Sequence, residues 1–490
     1  MNSVLRKVKI VCTLGPASDT YEKIRDLVGA GMNVARLNFS HGDYSSHERT
    51  INNIRAAEKN LDTPVAVLLD TKGPEIRTGL LRDHAKVMLV QDSDFELRFD
   101  GIEGDSQGVS VDYAPLHDEV AIGQAIYIDD GVIKLQVVEL TSDAVVCRVI
   151  VGGELGERKG INVPSADLSV PTLTDKDIND IKWSSEHDVD YIAVSFVRSS
   201  EDILNVKKLV EKYGGDSKII AKIETRQSVE RLDEILAVSD GIMVARGDLG
   251  VEIPMEDVPV LQKDIIKKCL IQGKQSIVAT QMLDSMIRNP RPTRAEASDV
   301  ANAVIDGTDA VMLSGETASG KYPLEAVKTM NNIIMKIESR IDLLQNTPET
   351  IADDNLISDA VSYSTRDISK AVNAAAIVTM TKSGATARMV SKYRPLCRII
   401  APTPLRKSWR QMALVWGTMP ILCEITDELE SSVDKVLTIL QKEGHIKAGD
   451  IIVITSGVPL GVKGTTNTVH VQRVSGKKTE SSENTNLCLL

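Results

Sequence analysis

The sequence predicts an α/β protein: a (β/α)8 barrel, interrupted by a small inserted all-β domain and followed by a C-terminal α/β domain. Three observations carry this. Eight apolar runs, three before residue 75 and five after residue 172, alternate with helical patterns. Between the two groups the pattern changes to short alternating segments separated by turn signals. From about residue 342 a second strand–helix series begins. Eight βα units in one core are the count of a closed barrel. A doubly wound open sheet is the alternative that the pattern leaves standing.

The elements follow in order. Val8–Leu14 is an apolar run ending in Gly15-Pro16. Ser18 and Asp19 are expected to cap a helix carrying Ile24, Leu27 and Val28, which Gly29 and Gly31 stop. Met32–Phe39 and Pro64–Asp70 are the next two strands. From Glu75 to Val170 the segments are short, and Asp129-Asp130-Gly131 between two apolar runs reads as a hairpin turn. Strands resume at Tyr191–Val197, Lys218–Glu224, Gly241–Asp248, Ser276–Met282 and Ala310–Thr317, with helices such as Val258–Leu270 and Arg294–Ile305 between them. Past Thr347-Pro348 and Asp353-Asp354, four strands are expected at Ala375–Thr381, Arg398–Pro402, Pro420–Glu424 and Asp450–Thr455. The expected domains are therefore 1–74 and 172–341 for the barrel, 75–171 for a small β-barrel insertion and 342–490 for the C-terminal domain.

Composition narrows the function. Aromatic residues are only 3% of the chain, so Val, Ile, Leu, Ala and Met must fill the cores, as in buried parallel sheets. The formal charge is 57 − 69 = −12, which argues against a nucleic-acid partner. An anionic substrate would need a locally cationic pocket or bound metal. The six cysteines are dispersed with no CxxC pair, as in reduced cytosolic proteins. The first nine residues lack the apolar run of a signal peptide, and no stretch is long enough to span a bilayer. Cys488 stands third from the end, where a prenylation box needs the fourth.

In a (β/α)8 barrel, reactive groups sit at the C-terminal strand ends. Strand two ends in Arg36, Asn38 and Ser40, two apart and so on one side, followed by His41. Strand three ends in Asp70-Thr71, strand five in Lys222-Ile223-Glu224 and strand six in Arg246-Gly247-Asp248. Strand seven ends in Thr280-Gln281 and strand eight in Ser314-Gly315-Glu316. So many ionisable groups at a buried mouth are costly unless paired or bound. A ring of salt bridges is the purely structural reading. Glu224 and Asp248 are hard oxygen ligands, too few for a full cage, which suits Mg²⁺ with its retained waters. Lys222 beside them is a point charge for a phosphate or a developing oxyanion. Backbone N–H groups around Gly247 and Asp248 could hold a carboxylate. Asn38, Ser40, Asp70 and Thr71 offer oxygens with one formal charge, which suits a monovalent cation or simple loop hydrogen bonding.

These residues also lie in motifs that resemble the pyruvate kinase family. Ile10–Ser18 (IVCTLGPAS), Gly31–Gly42 (GMNVARLNFSHG), Leu69–Thr78 (LDTKGPEIRT), Gly241–Gly250 (GIMVARGDLG), Ala279–Met286 (ATQMLDSM) and Met312–Thr317 (MLSGET) follow in order along nearly the whole chain. The resemblance implies transfer of the phosphoryl group of phosphoenolpyruvate to ADP, giving pyruvate and ATP. Arg36 and Lys222 would grip the transferring group, and Lys222 would stabilise the enolate left behind. Glu224 and Asp248 would bind Mg²⁺ (or Mn²⁺). Gly247, Asp248 and Thr280 would hold the substrate carboxylate. Asn38, Ser40, Asp70 and Thr71 would bind K⁺, and Glu75 goes with K⁺ dependence. Asn38, His41, Arg77 and Lys159 would meet the nucleotide, making the insertion a lid. Thr280 and Ser314 would lie near the protonation step. Thr225-Arg226-Gln227-Ser228 departs from the family pattern, and only a local loop difference is expected from it.

In the C-terminal domain, Thr381, Lys382, Ser383, Gly384 and Thr386 lie between a strand and a helix, as an anion cradle or a plain turn would. In similar enzymes this loop takes a phosphorylated effector. Val458–Gly464 lacks the Trp and Arg of relatives that respond to fructose 1,6-bisphosphate, which points to a sugar monophosphate or AMP. The resemblance also implies a cytoplasmic homotetramer. Another barrel enzyme acting on phosphoenolpyruvate is the nearest rival; a dikinase would need a phosphohistidine domain for which the seven histidines show no context. A catalytically dead metabolite sensor would have lost Lys222, Glu224 or Asp248, and all three are present.

Overall fold

The computed structural model describes residues 6–164, 166, 168–340, 356–425, 429–458 and 466–475. Two compact units are present, Val8–Asn346 and Met1–Lys7 with Thr347–Leu490. In the larger unit eight parallel strands close a TIM-type barrel: β1 (Lys9–Thr13), β2 (Val34–Asn38), β3 (Ala66–Asp70), β4 (Tyr191–Val194), β5 (Lys218–Ile223), β6 (Gly241–Ala245), β7 (Gln275–Ala279) and β8 (Ala310–Leu313). Each strand pairs with its neighbour in sequence, and β8 closes on β1 in the register Lys9↔Ala310 to Cys12↔Leu313. Every residue of β1, β3, β4, β6, β7 and β8 is buried, which is why these strands read as unbroken apolar runs.

Several strands end earlier than their apolar runs suggest, and each has a local cause. The run 241–248 stops at Ala245 because Arg246–Glu252 turns into a helix. The run 276–282 stops at Ala279 because Thr280 and Gln281 take φ of +68° and +54°, outside the strand region. The run 310–317 stops at Leu313 before the short helix Gly315–Ala318. The first helix, Tyr21–Ala30, is capped by Thr20 rather than by Ser18 or Asp19; Gly31 forms its C-cap, while Gly29 lies inside it. The helices Val258–Gln272 and Arg294–Asp306 run slightly past expectation, to left-handed caps at Gly273 and Gly307.

Between β3 and β4 the chain leaves the barrel to form a seven-stranded sheet. Its order is Ile76–Arg77, Gly160–Asn162, Ala125–Ile128, Ile133–Leu140, Ala144–Val151, Asp94–Arg98, Gly108–Ser110. The expected hairpin is there, with Ile128 opposite Ile133 across Asp129-Asp130-Gly131. The two sheet edges meet: Thr78 bridges Val111, and Gly79 N donates to Ser110 O at 2.7 Å. A Cβ on Gly79 would lie 2.1 Å from Ser110 Oγ, so a larger residue there would have to displace that hydroxyl. Phe95, Leu97, Ile126, Leu135, Val145 and Val149 fill the interior. A two-stranded ladder, Val87–Leu89 with Gly153–Leu155, and a short helix, Leu116–Glu119, complete the insertion.

The second unit holds a five-stranded sheet in the order Thr418–Leu422, Arg398–Thr403, Ala376–Thr379, Ile451–Gly457, Thr466–Arg473. The last strand, antiparallel and at the edge, is one more than expected. Its sequence, TNTVHVQR, is mostly polar and half-exposed, so it gives little apolar signal. Lys7 belongs to this unit: its Nζ donates to Leu396 O at 2.8 Å and its carbonyl accepts from Gly417 N. The junction 347–354, the loop 459–464 and the tail from residue 476 lie outside the described residues.

Candidate active site

The C-terminal ends of the barrel strands bring the predicted groups together around one buried lysine. Lys222 on β5 reaches Ser195 Oγ at 2.7 Å, Glu224 Oε1 at 2.8 Å and Asp70 Oδ1 at 3.1 Å. Arg36 on β2 donates through Nε to Asp70 Oδ2 at 2.6 Å and through Nη1 to Thr13 Oγ1 at 2.9 Å. Asp70 therefore lies between two cations. Burial alone would raise its pKa, but Lys222 and Arg36 outweigh burial and hold the carboxylate below its ordinary value. Burial likewise opposes charge on Lys222, yet Asp70, Glu224 and Asp248 together hold its pKa above the usual lysine value. The lysine is a fixed ammonium.

Glu224 and Asp248 behave in the opposite way. Burial pushes both carboxyls up, Lys222 pulls both down, and Asp248 raises Glu224 further. The two carboxyls interact directly. Glu224 Oε2 also accepts from Phe196 N at 2.7 Å. Two buried carboxylates in contact need a proton or a cation between them. Among the described residues no group of three or more His, Cys, Asp or Glu is placed to hold a metal. A pair fits a hard cation such as Mg²⁺, whose remaining positions go to water and substrate oxygens.

On the far side of Asp248, Thr280 Oγ1 accepts from Gly247 N at 2.8 Å and donates to Ala279 O at 2.7 Å. Arg246 braces this turn: Nη2 donates to Thr280 O and Nη1 to Asp299 Oδ1, both at 2.7 Å, and Nε to Ala279 O at 3.2 Å. Two successive non-glycine residues at positive φ cost on the order of 1–3 kcal/mol each and persist only where surroundings impose them. Thr280, Gly247, Asp248 and Ser314 line one cleft of about 1490 Å³. Ser314 N donates to Glu316 Oε2 at 2.7 Å. Arg77, Lys159 and Asp248 line an adjoining cavity of about 270 Å³ between insertion and barrel. There Lys159 Nζ pairs with Asp129 at 2.9 Å, and Arg77 Nε with Glu75 at 2.7 Å. The insertion is tied down by Asn162 Nδ2 to Glu252 Oε1 at 3.0 Å and by Arg198, whose Nη1 donates to Leu168 O at 2.8 Å.

Asn38 and Asp70 are cross-strand partners, and Ser40 and Thr71 follow them. Part of this oxygen set is used locally: Asn38 Oδ1 accepts from Ser40 N at 3.1 Å, and Thr71 Oγ1 from Ser195 N at 3.1 Å. His41 is exposed, and neither it nor Asn38 lines the two cavities. The departing segment Thr225–Ser228 forms a capping box at a short helix and leaves Glu224 in place. In the second unit, Thr381 Oγ1 accepts from Gly384 N at 3.0 Å, Gly384 takes φ +78°, Thr386 Oγ1 meets Thr466 Oγ1 at 2.9 Å, and Thr403 Oγ1 reaches Lys382 O. Arg388 fastens Ser383 O at 3.2 Å, just as the helix Ala385–Lys392 begins.

Sequence reasoning passed over Ser195, Phe196, Thr13, Asp299 and Glu252. For Ser195 and Phe196 the signal existed: the strand-end rule was applied to six strands and not to the fourth. Asp299 lies on a helix face, and Thr13 shows its role only once Arg36 is seen to reach it.

Residues 5–327 match the family model "Pyruvate kinase, barrel domain" and residues 359–472 match "Pyruvate kinase, alpha/beta domain". A pyruvate kinase of Staphylococcus epidermidis is 47% identical over 475 residues, covering 96% of this chain and 81% of that protein. One from Geobacillus stearothermophilus is 48% identical over 477 residues with the same coverage. The crystal structure of a pyruvate kinase from Cryptosporidium parvum superposes with a TM-score of 0.89 at 38% identity, covering 96% of each chain.

Proposed function

The chain belongs to the pyruvate kinase family, and from that premise we propose how its residues divide the transfer of a phosphoryl group from phosphoenolpyruvate to ADP. Phosphoenolpyruvate and ADP are both polyanions, so the site must offset their repulsion before it can align them. A divalent cation held by Glu224 and Asp248 would supply part of that positive charge. Arg36 and Lys222 supply the rest, gripping the transferring group from one side. Gly247 N and Thr280 orient the substrate carboxylate beside Asp248. Once the phosphoryl has left, Lys222 faces the enolate oxygen, and Thr280 and Ser314 flank the carbon that gains a proton. The nucleotide enters between barrel and insertion, against Arg77 and Lys159, with Asn38 and His41 at the rim. Residues 75–171 then act as a lid over the barrel formed by 1–74 and 172–341.

One observation carries this reading: a buried ammonium, held charged by Asp70, sits 2.8 Å from Glu224, whose carboxyl contacts Asp248. A coupled assay tests it, with phosphoenolpyruvate, ADP, Mg²⁺ and K⁺, reading pyruvate through lactate dehydrogenase. Turnover in the parent that is lost in Lys222→Ala supports the assignment. Turnover retained in Lys222→Ala refutes it.

Further parts of the proposal have separate tests. Asn38, Ser40, Asp70 and Thr71 bind K⁺; equal turnover with K⁺ and a bulky organic cation refutes this. The cradle Thr381, Lys382, Ser383, Gly384 and Thr386 binds a phosphorylated effector. No shift in apparent affinity for phosphoenolpyruvate with sugar monophosphates or AMP refutes that. The enzyme works as a cytoplasmic homotetramer, which light scattering at micromolar concentration and fractionation of cells would check. No helix of the described residues is long and apolar enough to cross a membrane.

A further inference from the structure

We infer that Ser195 is a positioning residue that keeps the Lys222 ammonium aimed and ties it to the loop proposed above to hold K⁺. The inference rests on the reading of Lys222 as the group that meets the transferring phosphoryl.

An ammonium has three N–H bonds, and Lys222 has three acceptors near them: Ser195 Oγ, Glu224 Oε1 and Asp70 Oδ1. Two are carboxylates. Glu224 belongs to the pair that suits a divalent cation, and Asp70 belongs to the oxygen set that suits a monovalent one. Either carboxylate would be shared with its cation once that cation is bound. Ser195 is the neutral member of the three and belongs to neither proposed cation site.

Its hydroxyl has two acceptors, Thr71 O at 2.7 Å and Asp70 Oδ1 at 3.4 Å, and the shorter bond to Thr71 leaves a lone pair for the lysine. Its backbone N–H donates to Thr71 Oγ1 at 3.1 Å. The residue is 2% exposed, so water does not substitute for either bond. Its neighbour Phe196 takes φ +53° and directs its N–H at Glu224 Oε2. One dipeptide at the end of β4 thus grips Thr71, Lys222 and Glu224 together. Gly73 gives it room: a Cβ there would lie 2.9 Å from Ser195 Cβ and 2.7 Å from the Phe196 ring.

Ser195→Ala removes the acceptor for Lys222 together with the hydroxyl's own bond to Thr71 O, and nothing else of size. A hydrogen bond to a charged group is typically worth about 10–100-fold. We expect kcat to fall by that factor, KM for phosphoenolpyruvate to stay within about threefold, and the K⁺ concentration for half-activation to rise. The Mn²⁺ affinity read by electron paramagnetic resonance and the melting temperature of the metal-free protein should match the parent. Lys222→Ala is assayed alongside. An inactive Lys222→Ala beside a Ser195→Ala with parental kcat and K⁺ response overturns the inference and leaves the reading of Lys222 intact. An active Lys222→Ala overturns both. Parallel losses of Mn²⁺ affinity, melting temperature and kcat in Ser195→Ala make the serine a packing residue and overturn the inference. If Ser195→Ala does not fold, Ser195→Cys, with a weaker acceptor of similar size, must show reduced kcat at parental Mn²⁺ affinity; parental kcat there overturns it as well.

Discussion

Replacing Lys222 with methionine should change how stability depends on pH, and the structure gives the size of the change. In the parent, burial raises the Glu224 carboxyl to about 7 while Lys222 pulls it down. The pair is 2.8 Å apart, and at an effective dielectric of about 20 such a pair carries about 6 kcal/mol. That exceeds the free energy of several pH units, at about 1.4 kcal/mol each. Without the lysine, Glu224 stays protonated throughout the neutral and mildly alkaline range. Asp70 does not follow, because Arg36 remains 2.6 Å away. Above pH 7 the folded variant therefore holds a proton that the folded parent has released, while both unfolded chains have lost it. A group bound to more protons when folded loses stability as pH rises. Relative to the parent, the variant should lose about 1.4 kcal/mol per pH unit above 7, or about 2 kcal/mol by pH 8.5. For a unit of this size, that is a melting-temperature deficit growing by about 3 °C. Scanning calorimetry or fluorimetry of both proteins in EDTA at pH 6.5, 7.5 and 8.5 reads it. A deficit that is constant or shrinks with rising pH refutes the account of the Lys222–Glu224 pair. The same variant should lose about 10²–10³ in kcat, the usual scale for one electrostatic stabiliser.

Other expectations follow from the same geometry. Burial raises both Glu224 and Asp248, and a cation must displace whatever proton they share, so Mn²⁺ affinity should fall as pH is lowered from 8 to 6, with proton release on binding; calorimetry in two buffers measures both, and a pH-independent affinity would contradict the assignment. Asp299→Asn should loosen Arg246 from the Thr280 turn and lower kcat/KM for phosphoenolpyruvate by about tenfold, the scale of one charge-assisted hydrogen bond, as steady-state kinetics would show. Cys12, Cys147 and Cys269 are buried, with burial pushing Cys147 up to about 12 and Cys269 higher still, so labelling of the native protein at pH 8 followed by mass spectrometry should leave all three unmodified.

Much of the barrel was legible because its signal is one-dimensional. Runs such as Ala66–Asp70 and Gly241–Ala245 are buried on both faces, so apolar composition alone marks them. Their ends were harder. Thr280 and Gln281 look like strand, and only the bracing of the turn by Arg246 and Asp299 forces them to positive φ. Lys222, Glu224, Asp70 and Arg36 stood out because charges at the end of an apolar run demand partners. Thr466–Arg473 was missed for the opposite reason: an edge strand facing solvent carries no such contrast. Partnerships between neighbouring strands far apart in sequence, such as Ser195 with Thr71, depend on a register between β3 and β4 that local sequence does not encode.

The closing pair of the barrel has a consequence for how the chain is made. Lys9 meets Ala310, so β1 has no partner on that side until some three hundred residues later. At about 5–20 residues per second, synthesis leaves that apolar edge waiting for about 15–60 s. The insertion folds on short-range hairpins and can organise first, as low-separation contacts do. In doing so it carries the chain back to where it left, and brings Tyr191 beside Leu68 across what would otherwise be a costly loop. The same segment that is proposed above as a lid would thus also splice the two halves of the barrel during synthesis, and a nascent chain lacking it is expected to expose its unpaired strands to aggregation for longer.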